Sequence, residues 1–223
     1  MGDPLNSHFP IPWNTIWGYQ TQVSQTGRAI ALRYLGPELL SPDGKIKAYT
    51  ETQIQIEPEL SKSHIFSQLM LATSQGKVLH RIPSTMHLGQ GAVRETTARH
   101  LVGTISILTP ATWSADGQQL LVRQFEAVFG SDVSSDYAVV WNRQTQQARS
   151  IAPAPNNYDT ATLLGWSQVY PDQVLFRTSL LGEPESAVLA VDLHGATIAS
   201  PSDRPLRVGQ FRSPKLTAPQ ARR

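Results

Sequence analysis

A chain of 223 residues, 40% of them apolar, is long enough for one of the larger all-β domains and its core. The absence of cysteine removes a disulfide framework, a thiolate nucleophile and a Cys-ligated zinc. The net charge of +2 is unevenly placed: all 17 acids but only 13 of the 19 cations precede Arg204, so residues 1–203 carry −4 and a basic tail follows.

The chain opens MGDPLNSHFPIPW, with neither the basic start nor the continuous apolar segment of a signal peptide. Apolar runs such as Ala187 to Val191 fall far short of the roughly 20 residues that cross a bilayer. A cytoplasmic protein without a transmembrane segment is therefore expected. Pro10 and Pro12 oppose a helix, so residues 1–16 read as an extended Pro- and aromatic-rich arm. The arm lays Phe9, Ile11 and Trp13 either on its own body or on a partner. Next, Trp17 to Ser24 and Arg28 to Leu35 flank Gln25-Thr26-Gly27, which predicts a hairpin, an incomplete sheet unit able to pair with Leu206 to Phe211.

Leu40-Ser41-Pro42-Asp43-Gly44 is turn chemistry, because Asp bonds its own backbone and Gly accepts positive φ. It leads into Ile46 to Tyr49, then Ile65 to Ala72, a Ser74-Gln75-Gly76 turn, and Val78 to Ile82. The stretch Met86 to Val102 does not fit this pattern and reads as a loop insertion. A short helix is predicted over Val93 to Leu101, behind Gly89-Gln90-Gly91, but neither Lys nor Ser/Thr stands where a phosphate loop needs it.

The clearest unit is Thr112 to Pro153. The turn Ala115-Asp116-Gly117 precedes Gln119 to Arg123, Asp132 to Ser135 break the pattern, and Tyr137 to Trp141 form a second strand rich in β-branched and aromatic residues. Asn142 to Gln146 turn the chain into an outer strand at Arg149 to Ile151. A third copy runs from Gly165-Trp166-Ser167 through Pro171-Asp172 to Gln173 to Phe176, Ala187 to Leu193 and Thr197 to Ala199.

Repetition of four-strand units is the mark of propellers. Ser41-Pro42-Asp43-Gly44, Trp113-Ser114-Ala115-Asp116-Gly117 and Val191-Asp192-Leu193-His194-Gly195 resemble the turns of TolB-type (PD40, WD40-like) β-propeller repeats. The resemblance covers about three blades, roughly 40–83, 104–152 and 163–199. It implies an all-β, propeller-like array of antiparallel blades, three recognisable with an incomplete fourth; a β-sandwich is the alternative. Lys47 stands where the repeat has an apolar residue, which points to a shifted or edge blade, and the third unit lacks the Gly after Pro171-Asp172. Three blades do not close a ring of the usual four to eight, so something else must cover the edges. The domain reading is 1–16 arm, 17–200 propeller-like domain and 201–223 basic, flexible tail.

No catalytic, cofactor or metal residues are assigned. The six histidines lack HExxH or i, i+4 spacing and read as ordinary surface or packed residues. Asp132 to Asp136 begin like a calcium loop, but Tyr137 and Arg143 stand where an EF-hand needs Gly and Glu. No Gly-x-Ser-x-Gly elbow is present. Asp116, Asp132, Asp136, Asp159 and Asp172 are turn aspartates that would need to converge to act as a carboxylate pair. Trp113, Trp141 and Trp166 recur at blade positions, as core packing or as binding anchors.

The expected function is a non-catalytic interaction or assembly module of a larger complex, binding through blade loops, arm and tail. Its partner would be a protein, acidic or part of a membrane-associated complex, rather than nucleic acid. The residues assigned to contact are Phe9, Ile11, Trp13, Arg94, Arg99, Arg207, Arg212 and Lys215. A small-ligand or carbohydrate-binding propeller and a hydrolase using loop carboxylates are the alternatives.

Overall fold

Three four-stranded antiparallel meanders follow one another along the chain. A computed structural model describes residues 13–88, 96–97, 101–154, 158–180, 182–183 and 186–212, with the side chains of 13–15 and 96–97 outside that description. Helix α1 (Trp13–Thr26) and strand β1 (Ile30–Leu35) come first. The first meander is β2 (Glu38–Leu40), β3 (Ile46–Ile56), β4 (His64–Thr73) and β5 (Val78–Pro83). A short ladder of β6 (Thr85–Met86) and β7 (Thr96–Thr97) follows. The second meander is β8 (Thr104–Trp113), β9 (Gln119–Val128), β10 (Ser134–Asn142) and β11 (Ala148–Ile151). The third is β12 (Thr160–Ser167), β13 (Val174–Ser179), β14 (Ser186–Val191) and β15 (Thr197–Ala199). Two short strands, β16 (Pro205–Leu206) and β17 (Gln210–Arg212), end the described chain. The protein is thus mostly β, in antiparallel and mixed sheets that do not close.

The first two meanders share one ten-stranded sheet, joined by a short parallel contact of β4 and β8, Ile65 opposite Ile105 and Phe66 opposite Ser106. Beyond that contact, side chains take over from the ladder. Ser67 Oγ accepts the Leu108 N–H at 2.7 Å, and Thr50 Oγ1 donates to the Leu108 carbonyl at 2.7 Å. Both hydroxyls are buried, so they satisfy backbone groups that would otherwise cost about 1–3 kcal/mol each.

Strand β3 shows why this sheet holds its register: its burial alternates along all 11 residues, with Ile46, Ala48, Thr50, Thr52, Ile54 and Ile56 inward. A one-residue slip would turn that whole set to solvent. Lys47 lies on the opposite face and pairs with Glu38 at 2.6 Å.

The three larger apolar clusters among the described residues fill the spaces between layers. Leu39, Ile46, Ala48, Leu69 and Leu71 meet Leu108, Trp113, Leu120, Val122, Val139 and Trp141 between the first two meanders. There the Trp113 and Trp141 rings pack edge to face, 6.3 Å apart. Between the second and third meanders, Leu121, Ala138, Val140 and Ile151 pack on Trp166, Val174, Phe176 and Val191. The third cluster lies under α1, where Ile16 and Val23 cover Ile54, Ile56, Ile65, Ile105, Ile107 and Phe125.

Helix α1 corrects the hairpin expected across 17–35. Ile16, Gln20 and Val23 share one face at i, i+4 and i+7, and all three are buried. Gln20 Nε2 also donates to the Pro58 carbonyl at 3.2 Å. Gly27, at φ +65, ends the helix with its N–H on the Val23 carbonyl. The partner of β1 is β3, from Ile30 opposite Ile56 to Leu35 opposite Glu51. The helix begins at Trp13, so residues 13–16 are not part of an extended arm.

The other differences lie in the insertion and the tail. Thr96 and Thr97 pair with Met86 and Thr85, so a helix spanning 93–101 is not formed. Residues 201–212, read as part of a flexible tail, are ordered: β16 pairs with β12, and β17 pairs with β2. Between them Val208 donates to Thr112 Oγ1 at 2.6 Å and accepts from the Trp113 N–H at 3.0 Å. One strap thus runs past the first strand of each meander, β12, then β8, then β2. It covers the edges that an unclosed array leaves exposed. The expected return of the chain end to its N-terminal part is present, on Glu38–Leu40 rather than on 17–35.

Candidate functional site

The turns between the first two strands of the first and second meanders have one construction. Ser41 Oγ donates to Asp43 Oδ1 at 2.6 Å and accepts the Ile46 N–H at 3.0 Å, while Asp43 Oδ1 also accepts the Lys45 N–H. Ser114, Asp116, Gln118 and Gln119 repeat each of these bonds, and Gly44 and Gly117 sit at φ +67 and +69. In the third unit Asp172 takes the glycine's left-handed place at φ +62, and the carboxylate comes from the strap: Ser167 Oγ donates to Asp203 Oδ2 at 2.5 Å. The carboxylate that a turn residue supplies in the first two units is here supplied by a residue 36 positions away.

These bonds hold the turn carboxylates ionised. The Ser41 hydroxyl, with the Lys45 N–H and the Arg143 guanidinium, takes Asp43 from the ordinary 3.8 down to about 2. The Ser114 hydroxyl lowers Asp116 in the same way. For Asp203, burial acts upward, but bonds from Ser167, Arg204, Gln168 and Ser200 outweigh it and leave the group lowered.

The strap lies close against the first of these turns. Gly209, at φ +111, passes so near that a Cβ there would stand 2.9 Å from the Leu40 carbonyl oxygen and 2.8 Å from Leu39 Cδ1. A groove of about 510 Å³ results, walled on one side by Leu40 to Pro42, Gly44 and Ser74 and on the other by Arg207 to Gln210 and Arg212. Both arginines are exposed, and neither forms an ion pair among the described residues. Two acids on the β2 side are already engaged: Glu38, in register with Arg212, holds Lys47, and Asp43 holds Arg143 at 3.0 Å. The groove therefore presents two free cations and no free carboxylate among its lining residues.

A second polar cluster lies under the insertion. Glu126 is 0% exposed, between the buried Phe125 and Ala127. Its Oε2 accepts the N–H groups of His87 at 2.8 Å and Leu88 at 3.0 Å; its Oε1 accepts from Gln124 Nε2 at 2.5 Å and lies 2.7 Å from His87 Nδ1. The His87 ring stacks on Tyr137 at 4.3 Å. Burial, and then the charge of Glu126, push the Tyr137 phenol upward. Every polar atom of the carboxylate is engaged, so the cluster works as an anchor for residues 84–88. Its signal in the sequence was Gln124 and Glu126 at alternate positions of an apolar strand.

The sequence-derived residues divide sharply. Arg207 and Arg212 are brought together on the strap. Phe9, Ile11, Arg94, Arg99 and Lys215 lie outside the described residues, and of Trp13 only the backbone is described, as the first residue of α1. Trp113, Trp141 and Trp166 are buried and form no binding face. Of the five aspartates, Asp116 and Asp132 stand at opposite ends of β9, about 30 Å apart at strand rise. Asp136 is buried between Arg123 Nε and the Leu163 N–H, both at 2.8 Å. Among the described residues no helix is long and apolar enough to cross a membrane, and no three His, Asp or Glu side chains gather as a metal site. Comparison with protein-family models finds no family that matches the chain, and comparison with curated proteins finds no match.

Proposed function

We propose that this chain is a non-catalytic protein-interaction module, built as an open array of three propeller-like blades of TolB type and held by its C-terminal strap. The repeated Ser-x-Asp-Gly turn geometry at the head of the first two meanders supports the blade reading, as does the meander order of all three. The observation that carries the function is the groove beside Arg207 and Arg212, where two cations that no described acid pairs line a surface recess with no free acid among its lining residues. Charge-complementary recesses of this kind set partner choice and association rate. A protein partner with acidic character fits it, and the slightly acidic body of residues 1–203 keeps the attraction local to this face.

The test is to isolate the tagged full chain from its native host at low salt, beside the Arg207→Glu/Arg212→Glu double variant. A stoichiometric protein recovered with the unaltered chain and lost with the folded double variant is the expected result. Recovery of no stoichiometric protein with either form, or equal recovery with both, overturns the assignment.

A further inference from the structure

We infer, on the strength of the interaction-module reading, that an extended acidic segment of the partner adds as a strand to the outer edge of β17, with its carboxylates on the face that carries Arg212 and Arg207 at the rim of the groove. Strand β17 ends the ten-stranded sheet; β2 is its one neighbour among the described residues. Its outer backbone groups are therefore a template for another chain. The side chains around that edge are divided between two chemistries. Gln210 and Arg212 line the groove, whereas Phe211, between them, stands on the opposite face, 57% exposed although in register with the buried Leu39. An added strand would place alternate side chains on each face. Carboxylates would meet Arg212 and Arg207, and an apolar residue would cover Phe211.

Charge decides against the other occupants. A second copy pairing through β17 would bring both copies' Arg207 and Arg212 into one patch, which like-charge repulsion opposes. The chain's own residues 213–223 carry Lys215, Arg222 and Arg223 and no acid. A partner strand alternating acidic and apolar residues satisfies all three features: the open edge, the exposed aromatic and the free cations.

The probe is a fluorescein-labelled acetyl-Glu-Val-Glu-Val-Glu-Val-Glu amide, titrated with the full chain by fluorescence anisotropy at low salt. Three controls accompany it: the Lys-Val counterpart, a version with alternate backbone amides methylated, and inorganic phosphate as competitor. Saturable binding is expected, weakened at least tenfold by Arg207→Glu/Arg212→Glu, by Phe211→Ser and by amide methylation, and absent with the Lys-Val peptide. Full retention by the methylated peptide overturns strand addition. Displacement by phosphate at equal charge overturns the peptide as occupant and leaves a simple anion site. Dimerisation lost in the double variant points to a second copy, and a tenfold tighter peptide affinity on deleting residues 1–12 points to the chain's own arm; either overturns the assignment. No binding by the Glu-Val peptide, with a partner still captured through the arginines, removes this inference alone. Loss of both removes the module reading as well.

Discussion

Replacing Glu126 should unfasten the insertion from the second meander. Its carboxylate is wholly buried and accepts from two backbone N–H groups and the Gln124 amide, with the His87 ring 2.7 Å away. Alanine at 126 removes every acceptor at once and leaves a cavity in their place. A buried donor stripped of its partner costs about 1–3 kcal/mol. His87 and Leu88 are only half-buried, so water relieves part of that loss, and the sum over these donors comes to roughly 3–5 kcal/mol. Glutamine keeps one oxygen and nearly the same volume, so Glu126→Gln should cost only about 1–2 kcal/mol. Urea denaturation of the full chain measures both variants. Hydrogen exchange at the Leu88 amide separates global from local loss, because that N–H ends on Glu126 and on no strand partner. An alanine variant within about 0.5 kcal/mol of the parent, with Leu88 exchange unchanged, would refute the anchoring role.

Other outcomes follow from the strap and the turns. Gly209→Ala forces a side chain into the Leu40 carbonyl and the Leu39 methyl at a φ that L residues avoid; we expect a loss of about 2–4 kcal/mol and new proteolytic cleavage within 203–212, read by denaturation and limited proteolysis. Trp113→Ala empties the junction of the first two meanders and should cost about 3–5 kcal/mol in the same assay. Asp43 is lowered to about 2, and Asp116 and Asp203 are lowered too, so their contribution is present above the ordinary carboxylate value of 3.8 and is lost as pH falls through the folded values. The melting temperature should therefore drop between about pH 5 and pH 2, and Asp43→Asn/Asp116→Asn should show a shallower drop than the parent.

Local chemistry explains which elements could be read in advance. The turns at 41–44 and 114–117 were legible because Ser, Asp and Gly each have a specific local task there, and Asp192 likewise accepts the His194 and Ala196 N–H groups around its turn. Strands with β-branched and aromatic runs, such as 137–141, were legible for the same reason. Helix α1 was not. Its residues WNTIWGYQTQVSQT mix β-branched, aromatic and polar types with little intrinsic preference, and the burial of Ile16 and Val23 on a distant sheet decides the matter. The strap was half legible. Leu206 to Phe211 was assigned to pairing, but Arg, Pro and Ser around it read as disorder, because nothing local shows that three strand edges stand waiting. Of the candidate site, Arg207 and Arg212 were marked by charge alone; the groove wall at Ser41 to Gly44 comes from 163 residues earlier in the chain and has no local trace.

The strap links fold and site through one physical requirement. Three meanders that do not close leave the first strands β2, β8 and β12 with backbone groups facing no neighbour over part of their length. Residues 203–212 meet all three, through Leu206 on Trp166, Val208 on Thr112 and Trp113, and Phe211 on Leu39. To do so they must stay extended and lie close to buried side chains, which is why a glycine stands at 209. An extended segment laid over an edge, however, has an outer edge of its own. Closing the array in this way moves the unpaired backbone from the interior to β17 at the surface, beside two arginines that no described acid neutralises. The edge problem of an open array and the docking strand proposed for β17 then have one origin. A variant that frees the strap, such as Gly209→Ala, should weaken partner capture and stability together, whereas Arg207→Glu/Arg212→Glu should weaken capture alone.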